Sequence, residues 1–283
     1  MRHAFILTLS CPDRPGIVFR VSGLLFEFGC NIVDAQQFAD EDSGRFFLRV
    51  HFEAPAHGDI DDLREGLASL AEVFAMQWNL HDARRRARLL VLVSRQGHCL
   101  NDLLFRAHTR KLPVDIAAVA SNHEDFAALC ASYGVPFHYL PVDARTREAQ
   151  EDALLALAEH TQVDLVVLAR YMQVLSPRMC DALAGRAINI HHSFLPSFKG
   201  AQPYHQAHAR GVKIIGATAH YVTADLDEGP IIEQDIARVD HAMTPRELVR
   251  LGSDIESVVL ARAVRWHVEH RVLRNGHRTV VFR

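Results

Sequence analysis

Two short stretches of this 283-residue chain carry side chains able to stabilise an oxyanion. The first is Asn189-Ile190-His191-His192-Ser193, followed by the loop Phe194-Leu195-Pro196-Ser197-Phe198-Lys199-Gly200. The chain leading into it predicts a strand, and strand alternation points Asn189 and His191 to one side. An amide beside an imidazole offers a developing oxyanion one neutral donor and one group able to carry a proton. The second stretch is the turn Asp225-Leu226-Asp227-Glu228-Gly229-Pro230. A carboxylate from it that reached the imidazole would raise the imidazole's pKa and orient the ring. Residue types alone leave other readings open. Among 18 histidines, His191 and His192 can be ordinary polar residues. With an acid they can form a metal site, although neighbours on a strand face opposite ways and no HxH, HxxxH or cysteine partner accompanies them. Asp225, Asp227 and Glu228 can simply be turn residues.

Composition narrows the class. Lys plus Arg total 31 against 34 Asp plus Glu, a net charge of −3, which disfavours a nucleic-acid binder dominated by phosphate contacts. No apolar run approaches the roughly 20 residues that cross a bilayer. The N-terminal apolar run is only Phe5 to Leu9, with no small-residue cleavage site after it, so a cytoplasmic protein is expected. Five cysteines, Cys11, Cys30, Cys99, Cys130 and Cys180, stand singly, which argues against a disulfide framework and a cysteine-based zinc site. Nothing marks Cys99 as a nucleophile.

The elements that must position these residues divide in two. Residues 1–83 read as βαββαβ, the ferredoxin-like plan. Strands are predicted at His3–Leu9, Asn31–Phe38, Arg45–Phe52 and Met76–His81. A helix follows Gly16 with Val18, Val21, Leu25 and Phe28 at helical spacing and Gly29 as its cap, and a second spans Asp59–Phe74. Residues 84–88, rich in arginine, read as a solvated basic linker. In residues 89–283 the runs Leu89–Ser94, Val114–Ser121 and Val163–Arg170 are almost continuously apolar, as in strands buried on both faces. Helical segments near Leu100–His108, Glu124–Tyr133 and Thr146–His160 alternate with them, which predicts a doubly wound, mostly parallel α/β sheet. Ile188–His191 reads as a fourth parallel strand, and Lys213–Val222 with Ile231–Val239 as an added hairpin. Thr244-Pro245-Arg246-Glu247 is a capping box opening a long helix, with Leu248, Leu251, Ile255, Val258 and Val259 expected on its buried face. Ligands of such open sheets lie at the carboxyl ends of the strands, where Asn189 and His191 stand.

The stretch NIHHSFLPSFKG (189–200), followed by HYVTADLDEGPII (220–232), resembles the signature of formyltransferases that use 10-formyltetrahydrofolate. That family reads Asn-x-His, a Ser-Leu-Leu-Pro-x-Phe-x-Gly-type loop, then His-x-x-x-x-x-x-Asp-x-Gly. LARYMQVLSP (168–177) resembles its folate-side segment, and DRPGIVFRVSGLLFEFGCNIVD (13–34) resembles an ACT domain, a small amino-acid-sensing module. Together they resemble the two-domain hydrolases of this family over essentially the whole chain.

The resemblance implies Asn189, His191 and Asp227 as catalytic residues, the first two polarising the formyl oxygen. Asp227 would orient or help protonate His191 and act, directly or through water, as base for the attacking water. It implies folate contacts at Met172, Gln173, Val174, Leu175, His220, Val222 and Asp225. No cofactor or metal is implied, because 10-formyltetrahydrofolate is itself the substrate. In the ACT domain, Asp13, Gly16 and Asn31 become candidates for a small amino-acid effector, and a homo-oligomer, dimer or tetramer, is expected. Neither nucleic acid nor membrane is an expected partner.

The acceptor separates two branches of the family. The glycinamide ribonucleotide branch places a glycine-rich turn after its first strand, where backbone amides hold a phosphate. Here Ser94-Arg95-Gln96-Gly97-His98-Cys99-Leu100-Asn101 keeps one glycine, and Arg170 stands where that branch tends to have glycine. Water is therefore the expected acceptor, giving formate for purine synthesis and tetrahydrofolate, although Arg95, His98 and Arg170 are themselves able to bind an anion. Only about 15 residues are expected after the long helix, too few for the additional RNA-contacting domain of the branch that formylates transfer RNA. Formyl transfer to glycinamide ribonucleotide, or an amino-acid-responsive binding protein on an inactive core, are the alternatives.

Overall fold

A computed structural model describes residues 3–56, 60–195 and 203–283, which form two compact units. The expected helix start at Asp59 and the loop residues Pro196, Ser197, Phe198, Lys199 and Gly200 lie outside the described residues.

The first unit contains β1 (His3–Pro12), α1 (Ile17–Glu27), β2 (Asn31–Asp40), β3 (Arg45–Ala54), α2 (Ile60–Phe74) and β4 (Gln77–Asp82). The strands form one antiparallel sheet in the order β2-β3-β1-β4, the ferredoxin-like plan read from the sequence. Gly16 (φ 93°) and Gly29 (φ 67°) flank α1 in the left-handed region, which costs a glycine no Cβ clash. The apolar stripes of α1 (Ile17, Val21, Leu25) and α2 (Leu63, Leu67, Leu70) bury in one core with Leu7, Leu9 and Phe52.

The second unit contains β5 (Ala87–Val93), α3 (His98–His108), β6 (Val114–Ser121), α4 (Ala127–Ser132), β7 (Phe137–Tyr139) and α5 (Arg147–His160). It continues through β8 (Leu165–Leu168), α6 (Pro177–Ala182), β9 (Ala187–His191), α7 (Pro203–Arg210), β10 (Ile214–Tyr221), β11 (Ile231–Arg238) and α8 (Pro245–Val268). Its seven strands run β11-β10-β9-β8-β5-β6-β7. The five from β9 to β7 are parallel, and the β10–β11 hairpin joins antiparallel to β9. Leu89, Val91 and Val93 of β5 are wholly buried, as two-sided burial of a central strand requires. The capping box forms: the Thr244 amide donates to Glu247 at 2.8 Å and the Glu247 amide to Thr244 Oγ1 at 3.3 Å.

Two expectations about the domain limits are corrected. The basic segment is not a free linker. Ala87 and Arg88 open β5, Arg86 pairs with Asp115 of β6 at 2.9 Å, and the Arg88 amide donates to Asp164, just before β8, at 2.8 Å, so aspartates at the starts of both neighbouring strands tie the segment to the sheet. The second domain also does not run to residue 283. Glu269–Asn275 and Thr279–Arg283 group with the first unit through a hairpin, β12 (Val272–Asn275) and β13 (Arg278–Val281). Leu273 and Phe282 bury against Phe47, Asn275 donates to Asp40 at 2.6 Å, and the buried Arg49 donates to the Glu269 carbonyl at 3.1 Å. Apolar burial and a satisfied buried cation outweigh sequence proximity to α8.

Candidate active site

At the carboxyl ends of the second unit's parallel strands lies a cleft of about 560 Å³. β9 delivers Asn189 and His191 to it, and the cross-strand pairing of β10 sets His220 opposite Asn189. The β10–β11 register shifts between Ala219 and His220, a bulge that re-aims His220. The turn after β10 supplies Asp227, a non-glycine residue at φ 58°. Gly229 allows that turn to close: a Cβ there would come within 1.7 Å of the Tyr221 carbonyl oxygen.

These side chains form one connected set. His191 Nδ1 lies 3.2 Å from Asp227 Oδ1, and His220 Nε2 lies 3.6 Å from the same oxygen. His220 Nδ1 is 2.9 Å from the Tyr221 carbonyl, which can only accept, so Nδ1 carries the hydrogen. Nε2 then accepts from Asn189 Nδ2 at 3.2 Å, which leaves the amide a second hydrogen for a ligand. His191 Nε2 is buried and meets no hydrogen-bonding partner among the described residues. With its other nitrogen committed to Asp227, that orphaned atom is available to a substrate oxygen. Burial by itself would raise the Asp227 carboxyl pKa. The hydrogen bond from His191, with the His220 ring close by, instead holds it well below the usual carboxylate range.

The folate-side candidates also line this cleft: Met172, Gln173, Val174 and Leu175 on one wall, His220, Val222 and Asp225 on another. Met172 is 58 % exposed, Val174 54 % and Leu226 60 %, so its mouth presents apolar side chains to solvent, as a site for a flat aromatic ligand does. Ser94 anchors the first wall: its amide donates to the Arg170 carbonyl at 3.2 Å and its hydroxyl accepts from the Met172 amide at 3.0 Å.

A second polar cluster was not foreseen. Glu256 of α8, 1 % exposed, accepts from Tyr204 Oη at 2.7 Å and His98 Nε2 at 2.8 Å, and lies 3.4 Å from Arg170 Nε. Arg170, 6 % exposed and at φ 64°, also donates to Gln96 at 2.8 Å. Burial opposes ionisation of Glu256, but His98, Arg170 and Tyr204 overcome it and keep its pKa below the ordinary value. Of the three residues named as able to bind an anion, Arg170 and His98 are thus engaged by a carboxylate. Donor atoms of His98, Cys99 and Glu256 lie within 4.8 Å of one another, yet Glu256 is already saturated by donors and burial pushes the Cys99 thiol far up. The sequence does carry a sign of Glu256: it continues the buried stripe Leu248, Gly252, Val259 of α8, where a charge demands partners. The stripe expected through Leu251, Ile255 and Val258 is corrected, since those three are only half-buried.

The opposed orientation expected of His191 and His192 is also corrected. β9 ends at His191, the chain turns, and both rings line the cleft with centroids 5.0 Å apart. The effector candidates are not brought together within one chain. Asp13 and Gly16 follow the end of β1 that pairs with Arg45, whereas Asn31 pairs with Glu53 at the far end of β3. Eight residues of strand separate those ends, roughly 25 Å.

Fold and site define a formyl-transfer-type α/β domain in a chain that also carries a ferredoxin-like module. The formyl transferase family matches residues 87–264 and the ACT domain family residues 5–73. A formyltetrahydrofolate deformylase of Corynebacterium sp. (strain P-1) is 50% identical, covering 100% of this chain and 99% of that protein. The crystal structure of a formyltetrahydrofolate deformylase from Burkholderia mallei superimposes with a TM-score of 0.95 at 53% identity, covering 99% of this chain and 100% of that one. A glycinamide ribonucleotide transformylase from Symbiobacterium toebii aligns at 33% identity with a TM-score of 0.66, covering 70% of this chain and 95% of that one. The chain belongs to the formyltetrahydrofolate deformylase family.

Proposed function

We propose that the chain hydrolyses 10-formyltetrahydrofolate to formate and tetrahydrofolate, with Asn189, His191 and Asp227 as its catalytic residues. The observation that carries this reading is the buried, unpartnered His191 Nε2, opening on the cleft beside the Asn189 amide while Asp227 holds the opposite ring nitrogen. When the imidazole carries a proton on each nitrogen, Nδ1 serves Asp227 and Nε2 donates to the formyl oxygen. Asn189 supplies the second donor, and two fixed donors stabilise the tetrahedral oxyanion. The apolar mouth formed by Met172, Val174 and Leu226 supports folate as the ligand.

Water as acceptor is supported by what fills the site around Arg170. A phosphate-bearing acceptor needs free amides or free cations. Both Arg170 and His98 are engaged by Glu256, and a Cβ on Gly97 would meet the Phe126 ring at 2.3 Å, so the turn after β5 is packed. The ACT domain supports a small amino-acid effector and assembly into a homo-oligomer. Because Asp13 and Asn31 sit at opposite ends of one sheet, an effector contacting both would bridge two chains.

The deciding assay follows formate and tetrahydrofolate release with water as the only acceptor. The expected outcome is turnover by the wild type and a loss of about 10²–10⁴-fold in Asp227→Asn with the fold retained. Release only after addition of glycinamide ribonucleotide would overturn the hydrolase reading in favour of transfer.

A further inference from the structure

The hydrolysis proposed above needs a group to hold the attacking water and accept its proton, and Asp227 is poorly suited to that task. Its Oδ1 lies 3.2 Å from His191 Nδ1 and 3.6 Å from His220 Nε2, and its surroundings leave it a weaker base than the His192 imidazole. His191 and Asn189 are committed to the formyl oxygen. Glu256 is 1 % exposed, with both oxygens occupied.

His192 is different. Its ring lies on the same cleft, 5.0 Å from the His191 ring and 6.3 Å from the Tyr204 ring by centroid. It stands between the two carboxylate clusters, and neither of its nitrogens has a hydrogen-bonding partner among the described residues. The charged groups acting on it are Arg170 and His191, which disfavour its protonation, and Glu256 and Asp227, which favour it. Burial and the two cations dominate and push its pKa down to about 4, so at neutral pH one nitrogen always carries a lone pair.

We propose that His192 is the residue that holds the hydrolytic water and takes its proton, an inference that rests on the hydrolase reading. The water oxygen bonds to the formyl carbon and the carbonyl π pair moves to the formyl oxygen, held by Asn189 and protonated His191. The departing water proton passes to the free nitrogen of His192. The oxyanion pair then re-forms the carbonyl, the C–N10 bond breaks with its electron pair going to N10, and N10 takes the proton from His192. Formic acid leaves and loses its proton to solvent, so His192 ends neutral. An amine acceptor would bring a more nucleophilic lone pair and depend less on this group, which ties His192 to the choice of water.

The test compares wild type, His192→Ala and His192→Gln in steady-state release of tetrahydrofolate, with and without added hydroxylamine. The expected result is a 10²–10³-fold fall in kcat for the Ala variant with KM changed less than about threefold. The Gln variant, which keeps an acceptor oxygen and most of the volume, should retain at least about tenfold more activity than Ala. Hydroxylamine, a nucleophile that needs no base for attack, should restore much of the lost turnover as formohydroxamate. A kcat for Ala within threefold of wild type would overturn the assignment. So would a loss carried by KM, or one equal in both variants and untouched by hydroxylamine, the mark of a structural role. Absence of water-dependent release from wild type would instead overturn the hydrolase reading itself.

Discussion

Removing the Glu256 carboxylate should destabilise the protein far more than removing the whole ion pair. Glu256 and Arg170 are 1 % and 6 % exposed, and the donors around Glu256 keep its carboxyl ionised against burial. In Glu256→Gln, Arg170 keeps Gln96 as its neutral acceptor but loses the neighbouring negative charge, and His98 and Tyr204 lose a charged acceptor. Breaking a buried pair from one side typically costs about 3–5 kcal/mol, whereas replacing both partners with well-packed neutral residues is often near neutral. At about 2–4 °C per kcal/mol for a unit of this size, the single variant should unfold about 6–20 °C below wild type. In Arg170→Met, Glu256 keeps its hydrogen bonds to Tyr204 and His98, so the loss should be smaller. The double variant Arg170→Met/Glu256→Gln should be no less stable than Glu256→Gln alone. Thermal unfolding of the four proteins at pH 7 completes the cycle. Single costs that add in the double variant within about 0.5 kcal/mol would refute the coupling and with it the view that the cluster is electrostatically closed.

Other outcomes follow from the same geometry. Asp227 and Glu256 are both depressed, so between their folded values and the unfolded values of about 3.9 and 4.3 the unfolded chain binds more protons. Their stabilisation is complete above that window and disappears as pH falls through the folded values, so acid unfolding of wild type should be steeper below about pH 4.5 than that of Asp227→Asn, as followed by circular dichroism. Gly229→Ala should cost activity by about 10²-fold or more at little change in overall fold, because the clash with the Tyr221 carbonyl must displace the turn that carries Asp227. Its kcat, against the helix content of the purified variant, checks this.

Much of the architecture was legible because the signals were local. Continuous apolar runs read as buried parallel strands, and Asn189, His191 and Asp227 stood out by residue type and, through resemblance, by spacing. What escaped depended on tertiary neighbours. Glu256 looks like any charge on an amphipathic helix until Arg170, His98 and Tyr204 arrive from three other parts of the chain. His192 was assigned to the wrong face because alternation was extended one residue beyond the end of β9. The terminal hairpin turns at Asn275-Gly276, with Gly276 at φ 61°, a turn signal that the elements expected from the sequence did not include. No local pattern, however, says that its apolar face belongs with Phe47, more than two hundred residues earlier.

The two clusters explain how one scaffold can serve either transfer or hydrolysis. Asp227 sits on a turn at a positive φ, its carboxylate beside two imidazoles, and it engages Nδ1 of His191 so that Nε2 is the nitrogen left for a ligand. That arrangement polarises a carbonyl without regard to the nucleophile. Choice of acceptor must come from the rest of the cleft, where an anionic acceptor would require positive charge in excess of negative. Arg170 brings that charge, and Glu256, 3.4 Å away and also bonded to His98, offsets it from within the core rather than from solvent, where ions would screen it only loosely. The space left beside the formyl site is bordered by the neutral ring of His192 and the Tyr204 ring, a polar but uncharged wall. A small neutral nucleophile loses little on entering such a wall, whereas a phosphate would be desolvated without a partner. On the hydrolase reading, the buried Glu256 carboxylate therefore works together with His192 against an anionic acceptor, from a helix distant in sequence from Asn189, His191 and Asp227.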